Sequence, residues 1–103
     1  MASLTLCHIK DDSLLNTIYL MNDQFTSQEF LAAFRQHYDD EYIAELAITR
    51  GHSITRWRTL HSRIAKRLAQ EFEQDRRIIR RVRRVMGLNI LWRYSTSMRW
   101  QRL

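Results

Sequence analysis

The sequence predicts a mainly α domain with a small C-terminal β-hairpin, and three observations carry that expectation. The 103-residue chain has no proline and only two glycines, Gly51 and Gly87, so its long unpunctuated stretches favour helices over a many-turned β-sandwich. Apolar residues recur at spacings of three and four through most of the chain, which is the helical period. From Leu88 the character changes: Ile90, Trp92 and Tyr94 alternate with Leu91, Arg93 and Ser95, as in a strand. The alternative is an all-α chain in which one helix spans about 54–86 and ends at Gly87, roughly 50 Å long at 1.5 Å per residue.

The elements follow in order. Leu4, Leu6 and Ile9 lie in a short strand or loose arm. Asp12 or Ser13 is placed to cap a helix carrying Leu14, Leu15, Ile18 and Met21 and ending near Asn22–Asp23. Thr26-Ser27-Gln28-Glu29 is a capping box, with Phe25 and Phe30 set for a hydrophobic staple and Leu31, Phe34 and Tyr38 continuing the apolar stripe. Asp39, Asp40 and Glu41 open a third helix, where carboxylates complement the positive end of the helix dipole. Tyr42, Ile43, Leu46 and Ala47 should form its buried face, and Gly51 should supply the left-handed turn after it. Ser53 or Thr55 starts the longest helix, with Ile54, Trp57, Leu60, Ile64, Leu68 and Phe72 on one side. Its opposite side carries Arg56, Thr59, Arg63, Lys66, Arg67 and Gln70. Residues 76–86 fit either a helix or a strand, and Gly87 either caps that helix or marks a turn. There is no internal repeat and no linker.

Charge divides the chain more sharply than hydropathy does. Residues 1–48 hold two basic residues against eight acidic ones, whereas residues 49–103 hold fifteen against three. A basic half of that density attracts polyanions, nucleic acid above all. Six arginines (Arg76, Arg77, Arg80, Arg81, Arg83 and Arg84) fall within nine positions. The competing account is that the two halves neutralise each other, within the fold or across a dimer. Exposed pairs of that kind contribute only about 0–1 kcal/mol each, a weak reason to keep so many arginines.

Leu46, Ala47, Gly51, Trp57 and Leu60 fall at the spacings of a helix-turn-helix, with Arg50 and His52 where that motif usually has apolar residues. With the basic helix and the hairpin that follow, residues 25–103 resemble the winged-helix DNA-binding superfamily. At 103 residues there is room for a single domain, with an N-terminal arm and helix (1–24) before the part that carries the resemblance: a helix-turn-helix-like core (25–75) and an Arg-rich wing hairpin (76–103). The resemblance makes the helix from Ser53 the recognition helix and the turn near Gly87–Asn89 the wing. Arg56, Thr59 and Arg63 become base-reading candidates, because arginine pairs bidentately with guanine edges. Lys66, Arg67, Arg80, Arg81, Arg83, Arg84, Arg93 and Arg99 become phosphate contacts, which position without specifying.

Other chemistry has little support. The lone Cys7 excludes an internal disulfide and reads as a buried structural thiol. No second Cys/His pair joins Cys7-His8 at zinc spacing, so neither a metal nor a cofactor is expected. His61, beside the apolar stripe, reads as a satisfied boundary residue. Trp57 reads as core, and Trp92 and Trp100 as either core or base-stacking platforms. No phosphate-cradling glycine loop, nucleophile elbow or metalloprotease helix is present, and the carboxylates cluster at helix starts, so no enzyme is expected. The start of the chain lacks a secretory pattern and no apolar run is long enough to cross a bilayer, so a cytoplasmic protein, nucleoid-associated if it binds DNA, is expected. The expected partner is duplex DNA in transcription regulation, with a homodimer as a further partner and no membrane or small-molecule substrate. Two alternatives stand beside it: a protein-interaction module gripping an acidic partner, and RNA or single-stranded binding by the Arg/Trp-rich C-terminus.

Overall fold

Four helices pack against a three-stranded antiparallel sheet in the computed structural model, which describes residues 6–88 and 94–103. In chain order these are α1 (Asp11–Leu20), β1 (Gln24–Thr26), α2 (Ser27–His37), α3 (Asp39–Ile48), α4 (Ser53–Arg67), β2 (Ile79–Leu88) and β3 (Tyr94–Arg102). A π-helical segment (Leu68–Asp75) continues α4.

The expected cap of α1 is not made. Lys10 stands at the N-cap without a side-chain bond, and the Ser13 hydroxyl donates instead to Glu41 of α3 (2.7 Å). The reason lies in the arm before α1. Its backbone N–H groups lie against α3: Lys10 donates to Glu41 (3.0 Å), while His8 (2.6 Å) and Ile9 (3.2 Å) donate to Glu45. The inward face of α3 therefore combines the expected Tyr42 and Leu46 with Glu45, and is continued by Thr49 at the C-cap, so it is not the all-apolar face expected. Ile43 and Ala47 are exposed. Cys7, expected buried, is exposed as well, because Ile9 is the arm residue that enters the core.

The capping box of α2 forms as its sequence requires. Thr26 Oγ1 accepts from the Glu29 N–H (3.0 Å), Glu29 Oε1 accepts from the Thr26 N–H (2.8 Å), and Phe25 stands 6.1 Å from Phe30. Between α3 and α4 Gly51 adopts φ +126°, a conformation that L side chains rarely take.

Leu60, Ile64, Leu68 and Phe72 are all buried, and they meet Leu14, Ile18, Phe30, Phe34, Ile79 and Trp100 in one core. After Asp75 the helix ends through Arg77, at φ +55°, and the Ile78 N–H reaches back to the Phe72 carbonyl (2.7 Å). The chain then becomes strand, which overturns the alternative of one helix through residue 86. Strand β2 pairs with β3 from Ile79↔Arg102 to Leu88↔Tyr94, with a bulge between Arg81 and Arg83. Strand β1 pairs with the other edge of β3, Phe25 opposite Trp100, giving the order β1-β3-β2.

Gly87 is a strand residue opposite Ser95, neither a helix cap nor a turn. A Cβ there would lie 2.6 Å from Gln28 Oε1, so the glycine admits the side chain that guards the open edge of β3. Gln28 bonds the Ser95 hydroxyl (2.6 Å), and its backbone N–H donates to Ser97 Oγ (3.2 Å). Arg102 closes the far end, donating to the Met21 carbonyl (2.8 Å) and to Asp23 (3.2 Å).

Candidate nucleic-acid interface

Helix α4 and the β2–β3 hairpin form the two sides of a groove of about 480 Å³. From α4 and the π-helical segment that continues it the walls include Trp57, Ala65, Lys66 and Ala69; from the hairpin they include Arg81, Arg84 and Met98. The N-terminal turn of α2 closes one end with Ser27, Gln28 and Leu31. The groove exists because α4 buries its Leu60–Ile64–Leu68 stripe elsewhere, leaving the neighbouring face with small residues opposite the sheet.

The basic residues singled out in the sequence separate into two groups. Arg67 and Arg81 are tied to carboxylates. Arg67 makes two bonds to Asp11 (2.9 and 2.6 Å) and so fastens α4 to α1; Arg81 holds Glu73 in the same forked way (shortest 2.8 Å) and stands 5.8 Å over the Trp100 ring. Hydrogen bonding to those carboxylates raises both arginine pKa values, and the Arg81 bond holds the Glu73 carboxyl below its ordinary value. Four of the seventeen basic residues (Arg67, Arg76, Arg81 and Arg102) make ion pairs among the described residues. Only Asp11 and Asp23 of the acidic half take part, so the halves do little to neutralise each other by contact.

The second group, Arg56, Arg63, Lys66, Arg80, Arg83, Arg84 and Arg99, makes no ion pair among the described residues. Arg83 stands directly across from Arg99 in the β2–β3 ladder, a pairing of like charges that repels. Lys66, Arg80, Arg83 and Arg84 are exposed; Arg56, Thr59, Arg63 and Arg99 are half-buried. Three buried side-chain atoms lack a hydrogen-bond partner among the described residues: Arg56 Nε, Trp57 Nε1 and Arg99 Nε. All three are donors. Arg93 and Trp92 lie outside the described residues; of the wing turn expected near Gly87–Asn89, Gly87 and Leu88 are strand residues of β2 and Asn89 lies outside them.

No family model, curated protein or solved structure matches this chain.

Three exposed arginines of the basic half, Arg50, Arg58 and Arg77, also make no ion pair among the described residues although the sequence reading did not pick them as contacts. Arg58 is exposed on α4, and Arg77 holds an exposed cation at a strained backbone position. Nothing in the periodicity marks Arg77, because the strain arises where a helix ends without glycine. Trp57, expected in the core, is half-buried in the groove wall, 4.4 Å from the His61 ring. Trp100 is core, its indole N–H donating to Ser27 (2.9 Å). His61 bonds the Tyr42 hydroxyl (2.8 Å), and burial with nearby Arg35 lowers its pKa to about 4. Tyr42, whose pKa burial raises, keeps its proton and can donate to the neutral imidazole. Among the described residues no three His, Cys, Asp or Glu side chains are grouped to hold a metal, and no helix is long and apolar enough to cross a membrane.

Proposed function

We propose that this chain is a non-enzymatic nucleic-acid-binding protein that engages double-stranded DNA through α4 and the β2–β3 hairpin, in the manner of a winged-helix domain. The observation that carries the reading is the set of cations without carboxylate partners that α4 and the hairpin present. Lys66 of α4 and Arg84 of β2 line one groove, while Arg83 and Arg99 oppose each other one rung along, on the other face of the hairpin. A phosphate near opposed guanidinium groups turns their repulsion into charge-assisted bonding. In this reading Arg56, Thr59 and Arg63 face base edges. Lys66, Arg80, Arg83, Arg84 and Arg99 hold the backbone, joined by Arg93. Arg67 and Arg81, already paired, brace the helix and the strand that present the others. A small transcriptional regulator working in the cytoplasm or nucleoid is the corresponding role.

The test is an anisotropy titration of a labelled duplex at about 50 and about 200 mM salt. With about five phosphate contacts, affinity should fall roughly 10²–10³-fold between the two, because each neutralised phosphate releases counterion. Absence of binding at the lower salt would sink the proposal.

A further inference from the structure

A track for duplex phosphates needs cations, but it does not need an apolar trough beside them. The groove between α4 and the hairpin has both. Along α4 the face descends in steps of four, from Trp57 and His61 to Ala65 and Ala69, so its aromatic end gives way to two small residues that leave room. Leu31 and Met98 add to the apolar part of the lining, Ser62, Ser95, Thr96 and Ser97 supply hydroxyls, and Lys66 and Arg84 bring positive charge to the same space. No carboxylate lines the groove among the described residues. Its volume, about 480 Å³, falls within the range of sites that enclose small organic ligands.

A flat apolar body carrying a negative charge fits this combination, and in a nucleic acid that body is a nucleotide outside the stack. Resting on the DNA-binding reading above, we infer that the groove accepts a single unpaired nucleotide, its base against Trp57 and the alanines of α4 and its phosphate held by Lys66 and Arg84. A base within a duplex is covered on both faces by its neighbours, so only an extrahelical, overhanging or single-stranded nucleotide can offer a face to an aromatic side chain. The interface then has two parts: cations that follow the duplex backbone, and a trough that recognises a break in pairing.

The experiment compares a fully paired duplex, the same duplex with one unpaired nucleotide, and free adenosine monophosphate, read by anisotropy and tryptophan emission. The unpaired nucleotide should bind about tenfold tighter than the paired duplex and quench tryptophan emission. Ala65→Leu and Ala69→Leu fill the trough without removing a cation, so each should abolish the preference while leaving paired-duplex affinity unchanged. Trp57→Leu, which adds no bulk, should abolish the quench, and circular dichroism checks that every variant folds. Quenching by free adenosine monophosphate would show that the nucleotide alone suffices; a preference without it would show that the strand is required. Equal binding of the two duplexes with no quench by adenosine monophosphate overturns the inference and leaves the duplex reading standing. Quenching by adenosine monophosphate with neither duplex bound overturns the duplex reading and leaves the trough.

Discussion

Glu45 is only 1% exposed, and its Oε1 accepts the backbone N–H groups of His8 and Ile9, so one side chain on α3 holds the N-terminal arm in place. Removing it strands two donors. Glu45→Ala should therefore cost about 2–3 kcal/mol in urea denaturation, and Glu45→Gln clearly less, because an amide oxygen still accepts. Equal losses for the two variants would contradict this account. Arg77 presents the opposite case. At φ +55° its side chain opposes a backbone conformation that glycine takes freely, so Arg77→Gly should stabilise the fold by about 1 kcal/mol. A drop in stability would show that the arginine side chain contributes packing that outweighs the strain. His61 sets the acid limit. Its folded pKa of about 4 lies below the ordinary 6.5, so the unfolded chain takes up a proton before the folded one does. The stability this confers is complete above about pH 6.5 and is lost as pH falls toward 4, up to about 3 kcal/mol. His61→Phe should flatten the pH dependence of thermal unfolding within that window.

Helix α2 was legible in the sequence because its signals are local: a threonine, a glutamate three residues on, and a phenylalanine on either side. Thr26→Ala should cost about 1 kcal/mol, measured by thermal or urea unfolding, since it frees the Glu29 N–H. The apolar stripe of α4 was equally readable, but its last turns were not. Leu60, Ile64, Leu68 and Phe72 are spaced strictly by four, and in an α-helix each such step drifts about 40° around the axis. The wider turn of the π-helical segment holds more residues and counters that drift, so Phe72 remains in the core with Leu60. A run of spacings of four without a three was the available signal. The inward face of α3 was legible only in part: Tyr42 and Leu46 follow the helical period, but Glu45 does not announce itself. Its glutamate answers amides more than thirty residues earlier in the chain, a long-range contact that leaves no local pattern. The strand character of residues 79–88 depended likewise on a partner, β3, that local composition cannot supply. Of the proposed site, sequence identified the cations but not which of them the fold occupies.

That division has its consequence for the molecule as a whole. Net charge of +6 sets a long-range field, yet only cations without internal partners can exchange counterions for phosphates at full advantage. Arg67 is held by Asp11, and its side chain is 31% exposed, so it acts between α1 and α4. Arg84 lies in the groove wall with no ion pair among the described residues. The two arginines should therefore fail in different ways. Arg67→Ala should lower stability by about 1–2 kcal/mol, since it breaks a forked, partly buried pair, and should leave the salt dependence of duplex binding almost unchanged. Arg84→Ala should leave stability within about 0.5 kcal/mol and weaken duplex binding, lowering the slope of log affinity against log salt by about 0.9. Measured side by side, denaturation and salt titration of the two variants distinguish a cation that builds the fold from one that binds outside it. If Arg84→Ala left the slope unaltered, the hairpin would not be part of the DNA interface, and binding would have to be assigned to α4 alone.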